Sequence, residues 1–245
     1  MSTNFYLIEQ RCHGYTAAIT YPDGLEMSSK DMTSAAPVAS DKSGRRTQER
    51  TEITRAKLLD AASRLFTEHG FEGVSIRDLE NAAKVQRGLL AYHFKDKKTL
   101  WKAMADATFD LVHEQLNSRL ELLEDLSARE RIAYIIRFYV RFSSRHPELS
   151  RLLSQEARHD SWRIRYLAEH HIRDLADSLR GPVTETLGLS ERQFMHWFYL
   201  LAGGSSLIFS HAPECLLVFG EDAHQESVVD EHAEMMVTAL LGSRD

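Results

Sequence analysis

The stretch VQRGLLAYHF, Val85 to Phe94, sets an arginine, a tyrosine and a histidine among leucines and a glycine. Arg87 carries a planar fork of donors that fits a guanine edge or a phosphate. Tyr92 and His93 can each donate to phosphate oxygens, contacts that fix register rather than sequence. Gly88 lets another backbone come close, at a cost of roughly 1 kcal/mol of helix propensity against alanine. These groups imply recognition of a polyanion rather than bond-making. Leucine-rich decapeptides also build cores, so the question is which side chains turn outward.

Patterns that could react are sparse elsewhere. Glu169-His170-His171 has no histidine four residues on to complete a helical chelate, so no metal is expected. Glu169 and Arg173 instead fit an i, i+4 ion pair. Ser205-Ser206 lacks a nucleophile elbow, and no Gly-rich phosphate loop occurs. No catalytic residue and no cofactor is therefore expected. A helical enzyme relying on His170, His171 or His211 is the least supported reading.

The charge is divided along the chain. The 245 residues carry a net −6, which taken alone argues against a nucleic-acid partner. From Lys42 to Lys102, however, 14 Lys and Arg face 8 Asp and Glu, a net of +6; the other residues hold 16 against 28, a net of −12. A basic segment on an acidic body suits one region for a polyanion and another for something else. Two distant cysteines, Cys12 and Cys215, make a disulfide framework unlikely and a reducing cytoplasm the default. No apolar run is long enough to span a membrane, and no signal peptide is recognisable.

The elements that must position Arg87 and its neighbours read as helices. Residues 1–44, rich in Ser and Ala in MTSAAPVASDKSG, are expected to be a disordered extension. From Gln48, Ile53, Ala56, Leu59, Ala62, Leu65 and Phe66 recur at helical spacing, and Gly70 ends the run. Ser75 opens a second helix with Asp78 as its capping-box partner. A third short helix begins at Gln86, and Asp96 caps a fourth that runs to about Asp125. Leu79, Ala83, Val85, Leu90 and Phe94 then face inward, leaving Arg87, Gly88, Ala91 and Tyr92 outside. Further helices are predicted at about 128–145, 147–157, 162–180, 190–210 and 226–241, with Gly181-Pro182 breaking the third of these. The expected fold is all-α: a helix-turn-helix head over 45–98, its two-helix motif at about 75–94, and a helical body over 99–245.

The run AASRLFTEHGFEGVSIRDLENAAKVQRGLLAYHFKDKKTL resembles the DNA-binding head of the tetracycline-repressor (TetR) family of bacterial regulators. The likeness covers about Glu52 to Val112. It rests on Ala61-Ala62, Leu65-Phe66, Gly70-Phe71, Ser75, Asp78, Ala82, Val85, Gly88, Leu90, His93-Phe94, Lys97 and Leu100. The resemblance implies base contacts at Arg87 and Gly88, and phosphate contacts at Ser75, Tyr92, His93 and Lys97. This chain departs from the usual turn Ala-Gly-Val-Ser, reading Ala83-Lys84-Val85-Gln86. Lys84 adds a phosphate-binding charge, and Gln86 replaces the serine cap less well. Leu89 stands where threonine is frequent, offering a thymine-methyl contact, and Ala91 where tyrosine is frequent. Ahead of the head, Arg45 and Arg46 could reach a minor groove or a phosphate; a solvated linker is an equal reading.

For the body, the resemblance implies a small-molecule effector and a homodimer formed by the last two long helices, about 190–210 and 226–241. Two heads would then meet a palindromic operator on double-stranded DNA. FMHWFYLLAGGSSLIF is apolar around most of its circumference, and Gly203-Gly204 permits close helix approach. Val228, Val229, Met235, Met236, Ala239 and Leu240 form a matching stripe. Candidate effector contacts are Phe138, Phe142, Tyr166, His170, Trp197 and His211, for each of which ordinary core packing or a capped histidine is the simpler reading. The leading expectation is a homodimeric, ligand-responsive repressor. A scaffold that has lost DNA binding is the second reading, resting on Lys84, Gln86, Leu89 and Ala91.

Overall fold

The computed structural model describes residues 42–120, 123 and 125–242; the side chains of 42–47, 117 and 120 lie outside that description. The expected extension 1–44 falls almost wholly outside it. Every regular element among the described residues is helical, as the sequence predicts. In chain order they are α1 Lys42–Gly73, α2 Ile76–Ala82, α3 Leu89–Phe94, α4 Lys97–Leu120, α5 Ala128–Arg145 and α6 Pro147–Glu156. Then come α7 Trp162–Leu167, a π-helical segment Ala168–Ile172, α8 Arg173–Leu187, α9 Glu191–Gly204, α10 Leu207–Ser210, α11 Ala212–Phe219 and α12 Glu226–Leu241.

Two hydrophobic cores organise these helices. The first takes Leu58, Ala61, Ala62 and Phe66 from α1, Leu79 from α2, Leu90 and Phe94 from α3, and Leu100, Trp101, Ala105 and Phe109 from α4. Leu152 of α6 and Leu167 of α7 close it, so this core continues past residue 98 into helices assigned from sequence to the body. The second core joins α5, α8, α9 and α12 through Ile132, Ile136, Val140, Leu179, Val183, Phe194, Trp197, Leu201, Val229 and Leu240. Each fully buried Leu, Ile or Phe contributes about 1.5–3 kcal/mol. The inward face of α1 differs slightly from expectation: Leu58 and Ala61 are buried, whereas Ile53 is 38% exposed.

Several helix boundaries move for identifiable reasons. α1 begins before Gln48, at Lys42, and breaks at Gly70, whose φ of 72° is left-handed. Oriented for hydrogen bonding, the Gln155 amide accepts from Gly70 N–H and donates to the Phe66 carbonyl, each at 3.2 Å, which satisfies that end from α6. Gly181-Pro182 does not break its helix. α8 runs through Pro182 to Leu187 and stops at left-handed Gly188. A mid-helix proline costs about 3 kcal/mol. Leu179 and Val183, both buried, hold the two sides in the core and offset it. The predicted 190–210 helix ends at Gly204, because the Ser206 hydroxyl donates to the Ala202 carbonyl at 2.7 Å and accepts from Ser150 at 3.0 Å. The segment after Pro213 forms α11, a helix the sequence did not suggest.

Candidate nucleic-acid interface

The head is built from its caps. Ser75 and Asp78 form the predicted capping box: Asp78 N–H donates to the serine Oγ at 3.2 Å, and Ser75 N–H to the carboxylate at 2.9 Å. The Ser75 hydroxyl itself donates to Asp78 at 2.6 Å. These bonds hold the Asp78 carboxyl below its ordinary range. They also commit the donors of Ser75 within the protein, so its position at the rim brings no free hydroxyl proton to a phosphate. Asp96 caps α4 as expected, accepting from Thr99 N–H at 2.7 Å.

The turn between α2 and α3 carries two left-handed residues, Lys84 with φ 54° and Gly88 with φ 91°. Gly88 is therefore a conformational requirement, and an added Cβ there would meet nothing within 4 Å. Lys84 occupies its left-handed position without glycine's freedom. Because Gly88 is non-helical, α3 starts at Leu89 rather than Gln86 and has only six residues. Gln86 is exposed and supplies no cap. The cap comes instead from Glu80 on α2, only 4% exposed, whose Oε1 accepts from Gly88 N–H at 2.8 Å and Leu90 N–H at 3.2 Å. Sequence reading missed Glu80, although a charged residue beside the inward Leu79 is a signal that asks for a partner.

The turn and short helix present Lys84, Gln86, Arg87, Gly88, Ala91 and Tyr92 outward, Tyr92 with 76% of its surface exposed. Leu89 and His93 are half-buried. Burial, with help from the Arg55 guanidinium, lowers the pKa of His93 below the ordinary histidine value. Burial and Arg55 thus favour the neutral ring, which keeps one N–H donor. Its ring stands edge-on to Tyr92 at 5.0 Å. Lys97 departs from expectation. Its ammonium donates to the carbonyls of Phe71 at 2.8 Å and Val74 at 2.9 Å, beneath the Phe71 ring, so it ties α4 to the end of α1. Arg45 and Arg46 lie in the first turns of α1, and their side chains fall outside the described residues.

The candidate effector residues are not gathered into one site: Phe138, Phe142 and Trp197 lie in or beside the second core, Tyr166 and His170 beside the first, and His211 apart from both. Trp197 is in the second core, its Nε1 donating to the Leu240 carbonyl at 3.2 Å, and Phe138 packs against the same core. Phe142 of α5 lies between Phe138 of the same helix and His146, which joins α5 to α6. Tyr166 belongs to the first core, with the exposed His170 against its ring at 4.2 Å. His211 is exposed and bonded to Ser210. In their place the structure reveals two polar features. Asp106 on α4 accepts from the Tyr166 hydroxyl at 2.8 Å and pairs with His171 Nε2 at 2.9 Å, His171 being stacked on Phe109. That burial and that carboxylate push the Tyr166 phenol up to about 12. Tyr139 on α5 has a buried hydroxyl with no protein partner, and burial pushes its pKa far up. The expected Glu169–Arg173 ion pair is absent among the described residues; the charge of Glu169 acts instead on Arg165, one turn earlier. Among the described residues, no group of three metal-ligating side chains occurs and no helix is long and apolar enough to cross a membrane.

Residues 58–104 match the family model described as bacterial regulatory proteins, tetR family. The chain is 35% identical over 82 residues to the transcriptional repressor AcnR of Corynebacterium diphtheriae, covering 32% of this chain and 43% of AcnR. It is 32% identical over 128 residues to the repressor NicS of Pseudomonas putida, covering 51% of this chain and 57% of NicS. The chain thus spans less than two thirds of these relatives. The structure resembles AibR, solved with isovaleryl coenzyme A and operator DNA, at a TM-score of 0.60 and 19% identity, over 78% of this chain and 100% of AibR. It also resembles FadR of Bacillus halodurans at a TM-score of 0.59 and 15% identity, over 76% of this chain and 96% of FadR.

Proposed function

From a chain that belongs, through its helix-turn-helix head, to the tetR family of bacterial regulatory proteins, we propose a sequence-specific DNA-binding transcriptional repressor rather than an enzyme. Residues 45–98 serve as its DNA-binding part and 99–245 as an effector and dimerisation part, in the cytoplasm. The observation that carries this reading is the outward set Lys84, Gln86 and Arg87 in the turn and Tyr92 on α3, displayed on a basic segment while Leu90 and Phe94 lock α3 into the core. Arg87 and Leu89 read base edges; Lys84, Tyr92 and His93 meet phosphates.

A second copy of the chain is the proposed partner of the body. α9 leaves Met195, Tyr199 and Leu200 exposed at 46, 72 and 62%, and α12 leaves Met235 exposed at 66%. Gly204 already serves the chain's own packing, since a Cβ there would strike Met236, whereas Gly203 has open space. α11 adds Leu217 and Phe219, 86 and 76% exposed. So large an apolar surface favours association over exposure to water. The proposed effector is a small molecule taken up by the body, with the unpartnered Tyr139 hydroxyl as one polar anchor. It would release DNA by binding the DNA-free arrangement more tightly than the DNA-bound one.

A gel-shift titration on the DNA upstream of its own gene tests the reading, paired with selection from random duplexes. A specific, salt-sensitive shift and a palindromic consensus are expected. No specific shift at moderate salt, with no enriched half-site, would refute it.

A further inference from the structure

Glu80 is a buried carboxylate in a part of the head that should meet polyanions, and its bonds are specific. Its side-chain Oε1 receives Gly88 N–H at 2.8 Å and Leu90 N–H at 3.2 Å, and its backbone carbonyl receives Val85 N–H at 3.1 Å. One residue of α2 thereby fixes the turn, the left-handed glycine and the start of α3. A six-residue helix has almost no stability of its own. Its N-cap, Gly88, has no side chain, and Gln86 stays in solvent. A carboxylate at that end satisfies amides that no helical carbonyl can reach and complements the helix dipole. The cap that this turn lacks locally is thus supplied from eight and ten residues earlier.

We infer that Glu80 is the positioning residue of the DNA-reading surface: it touches no base, but sets the direction of Arg87 and Tyr92. The inference rests on the DNA-binding reading above. Arg87 directly precedes one of the two amides that Glu80 holds, and Tyr92 is two residues after the other. Without Glu80, the Gly88 and Leu90 amides both lose their acceptor, the Leu90 amide within the core, and the short helix is free to tilt. Base contacts depend on that direction, whereas non-specific phosphate contacts do not. Glu80 therefore governs discrimination between sequences more than general affinity for DNA.

The experiment compares wild type, Glu80→Ala, Glu80→Gln and Glu80→Asp. Each is titrated against the duplex selected by the wild type and against an unrelated duplex, with amide hydrogen exchange followed at Gly88 and Leu90. Glu80→Ala should lose about 10- to 100-fold in affinity for the selected duplex, the range for lost charge-assisted hydrogen bonds. Its affinity for the unrelated duplex should stay within about threefold, with faster exchange at both amides. Glu80→Gln keeps an oxygen at the Oε1 position and should restore most of the discrimination. Glu80→Asp keeps the charge but not the reach, and should behave like the alanine variant; it tests the point if Glu80→Ala does not fold. Folded Ala and Asp variants that bind the selected duplex like wild type would overturn the inference, as would equal losses on both duplexes. A wild type that selects no duplex would instead defeat the DNA-binding reading. The exchange rates then still decide whether Glu80 holds α3.

Discussion

Gly88 admits two explanations that one substitution separates. Its φ of 91° is left-handed, and an added Cβ would meet no atom within 4 Å. Gly88→Ala therefore pays only in backbone conformation: about 1–2 kcal/mol for an L-residue held left-handed. Restricting the unfolded chain returns about 0.4–1 kcal/mol. The net expected loss is about 1 kcal/mol, or a fall of about 2–4 °C in Tm for a chain of this size. Gly88→Asn, which tolerates this region better, should lose about half as much. Thermal unfolding by circular dichroism, without DNA, is the assay. If Gly88→Ala melts with the wild type yet binds DNA more weakly, the glycine is there for close approach to DNA. The conformational reasoning would then be wrong.

Lys84→Gly should raise Tm slightly, by up to about 1 kcal/mol of stability, because it relieves the other left-handed position of the turn; it should also lower the salt dependence of DNA binding by about one counterion. Asp106→Ala leaves the Tyr166 hydroxyl and His171 without their acceptor and should cost about 1–3 kcal/mol in urea unfolding, while Asp106→Asn should cost less. His93 has a lowered pKa in the folded state, so the unfolded chain binds more protons below about pH 6.5. Stability should thus fall as pH drops through that value, and His93→Gln should flatten this part of the curve. Leu200→Glu should shift the protein toward monomer in sedimentation velocity without lowering its helix content, since Leu200 is exposed in the single chain.

Local chemistry was legible in the sequence; action at a distance was not. The Ser75–Asp78 box, the Asp96 cap and the Gly70 break each depend on residues within a turn of one another, so spacing alone finds them. The inward set Leu79, Leu90 and Phe94 followed from periodicity for the same reason. Lys97 shows the limit: its acceptors, Phe71 and Val74, lie 26 and 23 residues earlier, and only the folded head reveals that its charge is spent inward. Glu80 is similar at shorter range. Pro182 misled because a helix breaker is a statement about an isolated helix, and two buried neighbours outweigh it. Aromatic side chains fill both cores alike, so their type alone marks no effector site; Tyr139 carries no mark among them, since an unpartnered hydroxyl has no signature in sequence.

Tyr166 and His171 are five residues apart, which on a regular α-helix places them about 140° from each other. Both nonetheless reach the single carboxylate of Asp106, because the π-helical segment between Leu167 and Arg173 widens one turn. The same widening turns everything beyond it by about 100°, the angle of one residue. Leu179 and Val183 therefore face the second core through an extra residue inserted a full turn or more upstream. Removing the exposed Glu169 from Ala168–Ile172 would delete no core side chain. It would act as a frameshift in rotation: either the Asp106 cluster comes apart, or α8 swings its apolar side away from α5 and α9.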